Sequence, residues 1–293
     1  MKALAFTLCA CAFLLSTLAY ASEPSLWAFN VGPVWDGQSL GLLIDPDPFS
    51  TSPGAYPPGW NYLMDASYDM SNSILYVSGT LSTSPAWWYQ NTIGVFSGGP
   101  GGLQYVSSSN AGMGGSDGYH WLGGIALLDG SLYAVGYVGF HDGNVVLRID
   151  DPGTASQTVT QVGPVFADIG IPFNLCTDGQ GSLLSIYRAL SGESTLYRID
   201  PSTGGLTGLH TYPDSLINGA IEGLTLCGDS LYGFNTDGRF FRFDLQTYEA
   251  TVLGELGQSD LWTGLVTIPE PSTISALGLA LVVGVLWRRG RRR

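Results

Sequence analysis

The sequence predicts an all-β fold built from one repeated four-stranded unit. The first observation is compositional. Gly, Ser, Pro, Thr and aromatic residues are abundant, with 41 Gly and 16 Pro in 293 residues, while Lys and long helical patterns are scarce. The second is a recurring Leu-aromatic pair, with Leu in place of the aromatic in one copy. It appears as Ser25-Leu26-Trp27, Ile74-Leu75-Tyr76, Ser131-Leu132-Tyr133, Ser182-Leu183-Leu184 and Ser230-Leu231-Tyr232, with Leu-to-Leu spacings of 49, 57, 51 and 48. The third is a run that follows each pair and closes on a polar residue: Leu42-Leu43-Ile44-Asp45, the weaker Gly94-Val95-Phe96-Ser97, Leu147-Arg148-Ile149-Asp150, Tyr197-Arg198-Ile199-Asp200 and Phe241-Arg242-Phe243-Asp244. A fixed period of this length marks a repeat architecture, and four short strands in about 50 residues fit the blade of a β-propeller. Five copies predict five blades.

Taken in order, the chain opens with Met1-Lys2, an apolar stretch from Ala3 to Leu18, and the small-x-small site Ala19-Tyr20-Ala21. This is the pattern of a secretory signal peptide, residues 1–21, cleaved after Ala21 to leave Ser22 as the first residue. Leu8-Cys9-Ala10-Cys11 also reads as a lipobox, but that would leave a very short apolar region. The repeat domain is expected over residues 22–268. Its first unit starts at what should be a second strand, Ser25 to Phe29, and the strand that should precede it is missing. The spare copy comes last, as Leu261-Trp262-Thr263-Gly264-Leu265-Val266. Pairing this last strand with the first would close the ring and remove an exposed edge. Residues 46–60 carry five prolines and predict a poor outer strand for the first blade.

Later units open with runs such as Gly124-Ile125-Ala126-Leu127 and Gly223-Leu224-Thr225-Leu226, and Asp129-Gly130 and Asp178-Gly179 mark tight connections. Turns such as Asp200-Pro201-Ser202-Thr203-Gly204 lead to outer strands like Thr251 to Leu256.

Charge narrows the function classes. Between residues 22 and 270 stand 5 basic residues against 24 acidic ones, a net of −19. Such a surface repels nucleic acid and anionic membranes, and suits divalent cations or an extracellular polymer matrix. Three of the five arginines in this region, Arg148, Arg198 and Arg242, occupy one repeat position two residues before an aspartate. Residues i and i+2 share a strand face, so each Arg should sit beside Asp150, Asp200 or Asp244. A repeated ion pair is the favoured reading, and a ring of cations gripping acidic sugar the alternative.

Several stretches imitate catalytic or binding motifs. Gly114-Gly115-Ser116-Asp117-Gly118 satisfies G-x-S-x-G but lies in a Ser/Gly loop, without the strand and helix a nucleophile elbow needs. Gly228-Asp229-Ser230-Leu231 spells the GDSL hydrolase motif, yet Asp129-Gly130-Ser131-Leu132 at the equivalent position marks it as a hairpin entering a strand. His120, His141 and His210 fall in different repeats, with no metal-ligand spacing. Asp45-Pro46-Asp47 and Asp142-Gly143-Asn144 offer oxygens to calcium without its spaced ligand loop, so solvated turns are favoured and no cofactor is expected. Trp87-Trp88-Tyr89, inside the longest repeat, is a candidate glycan contact, with packing the competing reading. Cys176 and Cys227 align as one inner-strand position in successive units, about a sheet spacing of 10 Å apart, which predicts two buried free thiols.

At the C-terminus, Pro269-Glu270-Pro271-Ser272 leads into the apolar run Ile274 to Trp287, and the chain stops on Arg288, Arg289, Gly290, Arg291, Arg292 and Arg293. Fourteen helical residues span about 21 Å against a hydrocarbon core of roughly 30 Å. Flanking arginines that snorkel, together with local thinning, make up the deficit and favour a transmembrane helix over a core helix. The arginines then lie on the cytoplasmic side. This order of motif, short span and arginine-rich end resembles the PEP-CTERM sorting tail of Gram-negative bacteria, over residues 269–293.

The resemblance implies export by the Sec machinery and a pause in the inner membrane. An exosortase-type membrane protease would then cut near Pro269, Glu270 and Pro271 and deliver the body to the outer surface or extracellular matrix. Such proteins are often found in strains that make exopolysaccharide. The expected function is a non-enzymatic binding or structural role there, with exopolysaccharide as a candidate ligand. The alternative is a secreted glycan-cleaving enzyme, which needs carboxylates converging on the central channel. The inner-strand segments offer Asp65, Asp69 and Glu222.

Overall fold

The computed structural model describes residues 25–30, 41–81, 92–111, 119–138, 143–166, 174–189, 191–256 and 262–268. The signal region, the sorting tail, Trp87-Trp88-Tyr89 and Gly114–Gly118 lie outside the described residues.

The chain enters with β1 (Leu26–Asn30), β2 (Gly41–Pro46) and β3 (Phe49–Gly54). It then lays down four complete meanders: β4 (Trp60–Asp69), β5 (Ile74–Leu81), β6 (Thr92–Gly99), β7 (Gly102–Asn110); β8 (Tyr119–Leu128), β9 (Ser131–Val138), β10 (Gly143–Asp150), β11 (Thr158–Phe166); β12 (Cys176–Thr177), β13 (Leu183–Arg188), β14 (Ser194–Ile199), β15 (Leu206–Tyr212); and β16 (Ile221–Cys227), β17 (Ser230–Asn235), β18 (Arg239–Asp244), β19 (Ala250–Glu255). It ends with β20 (Trp262–Thr267), which joins the first three strands in the order β20-β1-β2-β3. The result is five antiparallel four-stranded sheets. Their inner strands touch in the cyclic order β20, β4, β8, β12, β16 and back to β20, so the sheets are the blades of a five-bladed β-propeller. The expected closure is present: Leu26 pairs with Thr267, Trp27 with Val266 and Ala28 with Leu265.

The repeat leucine sets one register in all five blades. Leu26 pairs with Ile44, Leu75 with Phe96, Leu132 with Ile149, Leu183 with Ile199 and Leu231 with Phe243. Every one of these ten side chains is fully buried. A fixed cross-strand pair in the middle of each sheet explains why the pattern is legible along the chain.

The core is divided among the interfaces between blades. One apolar cluster joins each neighbouring pair: the first and second blades around Trp27, Trp60 and Leu63; the second and third around Ile93 and Leu122; the third and fourth around Val135 and Leu175; the fourth and fifth around Leu184 and Phe241; the fifth and first around Phe234, Trp262 and Leu265. No blade holds a core by itself.

Two local features differ from the sequence reading. β3 forms in spite of its prolines and pairs with β2 in unbroken register from Pro46–Phe49 to Gly41–Gly54. It is the outermost strand of its sheet, where the N–H that Pro53 lacks has no ladder partner to miss. A one-turn helix, α1 (Asp214–Ile217), follows β15, and its Asp214 is held by Arg188 at 2.9 Å. The tight connections behave as expected: Asp129 and Gly130 take φ of 51° and 82°, the left-handed pair of a two-residue hairpin.

Candidate functional site

The inner strand of each blade is paired on one side only, so its other edge presents backbone donors and acceptors to the axis. Buried backbone groups need partners. Here side chains on neighbouring inner strands supply them. The Ile125 N–H donates to Asp65 Oδ2 at 2.8 Å, and the Leu127 N–H to Ser67 Oγ at 2.9 Å. Thr263 Oγ1 donates to the Leu63 carbonyl at 2.8 Å, Asn174 Nδ2 to the Ile221 carbonyl at 2.6 Å, and Thr267 Oγ1 to the Leu226 carbonyl at 2.7 Å.

One level of the axis is narrow. Three residues past the repeat leucine, Ser78 faces Asp65, Phe234 faces Gly223 and Phe29 faces Gly264, while the equivalent Ile186 is bonded through both its N–H and its carbonyl to Asn174. A Cβ at Gly223 would meet the Phe234 ring at 2.5 Å and the Thr263 carbonyl oxygen at 2.9 Å. One at Gly124 would meet the Asn174 carbonyl carbon at 2.2 Å. Glycine there lets the inner strands close up, and Asp65 and Asn174, both fully buried, fill what remains.

Two buried acids lie on the inner strands near this level. Burial pushes the Asp65 carboxyl well above the usual range, the N–H groups of Ile125, Ala66 and Leu175 pull it back, and nearby Glu222 raises it further. Among the described residues, Asp65 Oδ1 has no hydrogen-bond partner. Burial raises Glu222 to about 8. Burial thus favours the protonated form of Glu222 at neutral pH and disfavours the ionised form of Asp65. Glycoside hydrolysis by paired carboxyls needs one of the two ionised, as nucleophile or base. Neither residue lines the cavity at the nearby mouth of the axis, which is bounded by Ser67, Tyr68, Leu127, Thr177, Leu226 and Thr267 among others and measures about 110 Å³. Pockets that take drug-sized ligands run to roughly 300–1,000 Å³. The arrangement is suited to holding the blades together. The third predicted acid, Asp69, is not part of it: its carboxylate caps the β4–β5 turn, accepting from Ser71 N–H at 2.8 Å.

The remaining predicted residues that lie within the described structure do not converge on the axis. Arg148 pairs with Asp150 at 2.9 Å as expected, but Arg198 reaches Asp178 at 3.6 Å instead of Asp200. Asp200 and Asp244 instead accept backbone N–H groups of their own turns, from Ser202 and from Gln246 and Thr247. All three arginines are exposed on the third strand of their blades, two strands out from the axis. Gly228-Asp229 is the turn between β16 and β17, with Gly228 at φ 58°, so the GDSL stretch is a hairpin. His210 lies on β15, against the rings of Tyr212 and Tyr248. Among the described residues, no three His, Cys, Asp or Glu side chains are grouped to hold a metal, and no helix is long and apolar enough to cross a membrane.

The cysteines are both buried and free, but their alignment needs correction. Cys176 pairs with Leu184 and Cys227 with Ser230, so the register sets Cys176 level with Thr225, two residues away from the Cys227 position. They also pack in different interfaces, Cys176 between the fourth and fifth blades and Cys227 between the fifth and first. Labelling in denaturant without reductant is expected to count two thiols in the chain from Ser22 onward; a count of zero would mean a disulfide.

The fold is thus a five-bladed propeller whose axis is stitched by its own side chains. Residues 267–293 match the PEP-CTERM protein-sorting motif, which implies export, processing at a membrane and an exosortase as the processing partner. No curated protein matches the sequence. Among solved structures, the chain is similar to a candidate 6-phosphogluconolactonase of Bacteroides fragilis at 9% identity and TM-score 0.48, covering 84% of this chain and 98% of that one. A protein from Lactobacillus plantarum matches at 12% identity and TM-score 0.45, covering 83% and 98%. A candidate 6-phosphogluconolactonase of Bacteroides uniformis matches at 11% and 0.43, covering 79% and 82%. At these values the likenesses carry no activity across.

Proposed function

We propose that the protein is a surface or extracellular-matrix component, exported by the Sec machinery, anchored transiently by Ile274–Trp287 and released by exosortase. Its propeller then serves as a binding or structural body rather than a catalytic one. The observation that carries this is the sorting motif at residues 267–293. Supporting it are the acidic body, unsuited to nucleic acid, and the commitment of Asp65 and Glu222 to the closed axis. Exopolysaccharide is the proposed ligand, with Trp87, Trp88 and Tyr89 as its candidate aromatic contacts.

The test has two arms. Replacing Pro269, Glu270 and Pro271 with alanine is expected to trap the long form in the inner-membrane fraction; unchanged release would mean that the motif is not the signal. Released protein is then incubated with the producing strain's own exopolysaccharide. Co-sedimentation without release of reducing sugar is expected, and sugar release that disappears in Glu222→Gln would favour the glycan-cleaving alternative.

A further inference from the structure

One turn of the repeat carries a residue that its backbone argues against. Between β18 and β19, Tyr248 stands at φ 60°, in the left-handed region that bulky side chains avoid. The same turn in the fourth blade holds a glycine. There the Gly204 N–H donates to the Asp200 carbonyl at 2.8 Å and the Asp200 N–H to the Gly205 carbonyl at 3.0 Å. In the fifth blade the Tyr248 N–H donates to the Asp244 carbonyl at 2.7 Å and the Asp244 N–H to the Glu249 carbonyl at 3.0 Å. Gly204 takes φ 67° without steric cost. The turn itself therefore does not select tyrosine.

The two turns differ in what they face. At Gly204 the turn lies so close to the outer strand of the third blade that a Cβ would run into the Val162 carbonyl oxygen. Val162 pairs with Val146, and the residue of the same register in the fourth blade is His210, paired with Leu196. A junction that glycine seals between the third and fourth blades is thus filled by two rings between the fourth and fifth. Tyr248 and His210 are stacked at 24° with centroids 6.2 Å apart. His210 packs at 4.7 Å on the buried Tyr212, which reaches the buried Phe243 at 5.3 Å. His210 is exposed and Tyr248 half-buried. The stack is anchored in the core and open at its outer end, so little ordering is left for a ligand to impose.

Charge selects among ligands that have a face to stack. Asp244 and Glu249 stand on the same turn, with Arg242 nearby, on a body of net −19 between residues 22 and 270. An acidic polymer is repelled by such a surface. An uncharged pyranose with equatorial hydroxyls offers an apolar face of axial C–H groups to the rings. Its hydroxyls can turn to the exposed Gln246, Thr247 and Glu249. Deepening the glycan reading above and resting on it, we infer that Tyr248 and His210 form a stacking site for an uncharged polysaccharide of the β-glucan type. The site lies on the outer rim of the junction between the fourth and fifth blades.

Full-length protein in detergent is run in native gels that contain hydroxyethylcellulose, alginate or the producing strain's own exopolysaccharide. Retardation by hydroxyethylcellulose and none by alginate is expected. Tyr248→Gly suits the backbone and is expected to weaken the interaction roughly tenfold, the loss of one stacking contact. Its melting temperature is expected to stay within about 4 °C of the wild type. His210→Ser, on an exposed strand, is expected to weaken the interaction likewise, and it decides alone if Tyr248→Gly fails to fold. Binding that survives the substitutions overturns the inference and leaves the glycan reading standing; with a lowered melting temperature it marks the rings as a bolt between blades. Retardation by alginate alone, or by the exopolysaccharide but not hydroxyethylcellulose, overturns it in the same way. No retardation in any gel overturns both readings.

Discussion

Replacing Trp262 with alanine is expected to destabilise the body by about 3–5 kcal/mol, the usual cost of removing a fully buried large aromatic. A chain ending at Leu256 is expected to lose its single cooperative unfolding transition altogether. The reason is that the closing segment Trp262–Ile268 contributes to two inter-blade cores at once: Trp262 and Leu265 to the interface of the fifth and first blades, Val266 and Ile268 to that of the first and second. Native domains are stable by only about 5–15 kcal/mol, so one such truncation removes a large share. Val252→Ala, on the exposed outer strand β19, is the control and is expected to stay within about 0.5 kcal/mol. Denaturant midpoints for the two variants check this, and equal shifts would contradict a closure that depends on β20.

The second expected result is a loss of stability as pH rises from about 5 to 8, the span between an ordinary carboxyl and the native Glu222 at about 8. Over this span the unfolded chain releases the proton and the folded chain keeps it. Stability from the raised pKa is therefore fully present below the unfolded value and is lost as pH climbs to the folded one. The upper limit for this one group is about 1.4 kcal/mol per pH unit, or roughly 3–6 °C per unit for a body of this size. Asp65, raised in the same direction by burial, adds to the slope. The thiol of Cys176, raised by burial and by Asp65, and the hydroxyls of Tyr187 and Tyr212, also raised by burial, act only at more alkaline pH. The half-buried Asp150 and the exposed Asp200 and Asp244, lowered by hydrogen bonds from neighbouring groups, matter only on the acid side. Thermal melts from pH 5 to 9 should fall for the wild type and flatten for Glu222→Gln. A flat wild-type profile would show that Glu222 ionises freely in the fold.

The blades were legible because one register is repeated. Each repeat leucine meets the residue before the closing polar position of the next strand, and burial on that face forbids a slip. The spare final strand and the missing first one were legible for the same reason. Outer strands were harder to read: β3 carries Pro53 and has few buried residues, since an outermost strand has one side free. At the axis, Asp65 and Glu222 could be named from their inner-strand segments, but Asp69, four residues from Asp65, could not be told apart from them. What separates them is the height at which β4 ends and the turn begins. The arginine pairs held only in part: Arg148 meets Asp150, but Arg198 chooses Asp178 across a connection whose length differs between blades. Asn174 carried no signal at all, since its role depends on a level shared with Gly223 and Gly264.

The pairing of Leu26 with Thr267 has a consequence for the order in which the chain matures. Strands β1 and β20 are separated by about 230 residues, and ribosomes add roughly 5–20 residues per second. For roughly 10–50 s after β1 emerges, its closing partner has not been made. During that interval Leu26, Trp27 and Phe29, all sealed in the finished ring, face the surroundings on an open strand edge. The unfinished ring is thus most aggregation-prone at β1, and a holding chaperone is needed most on that strand.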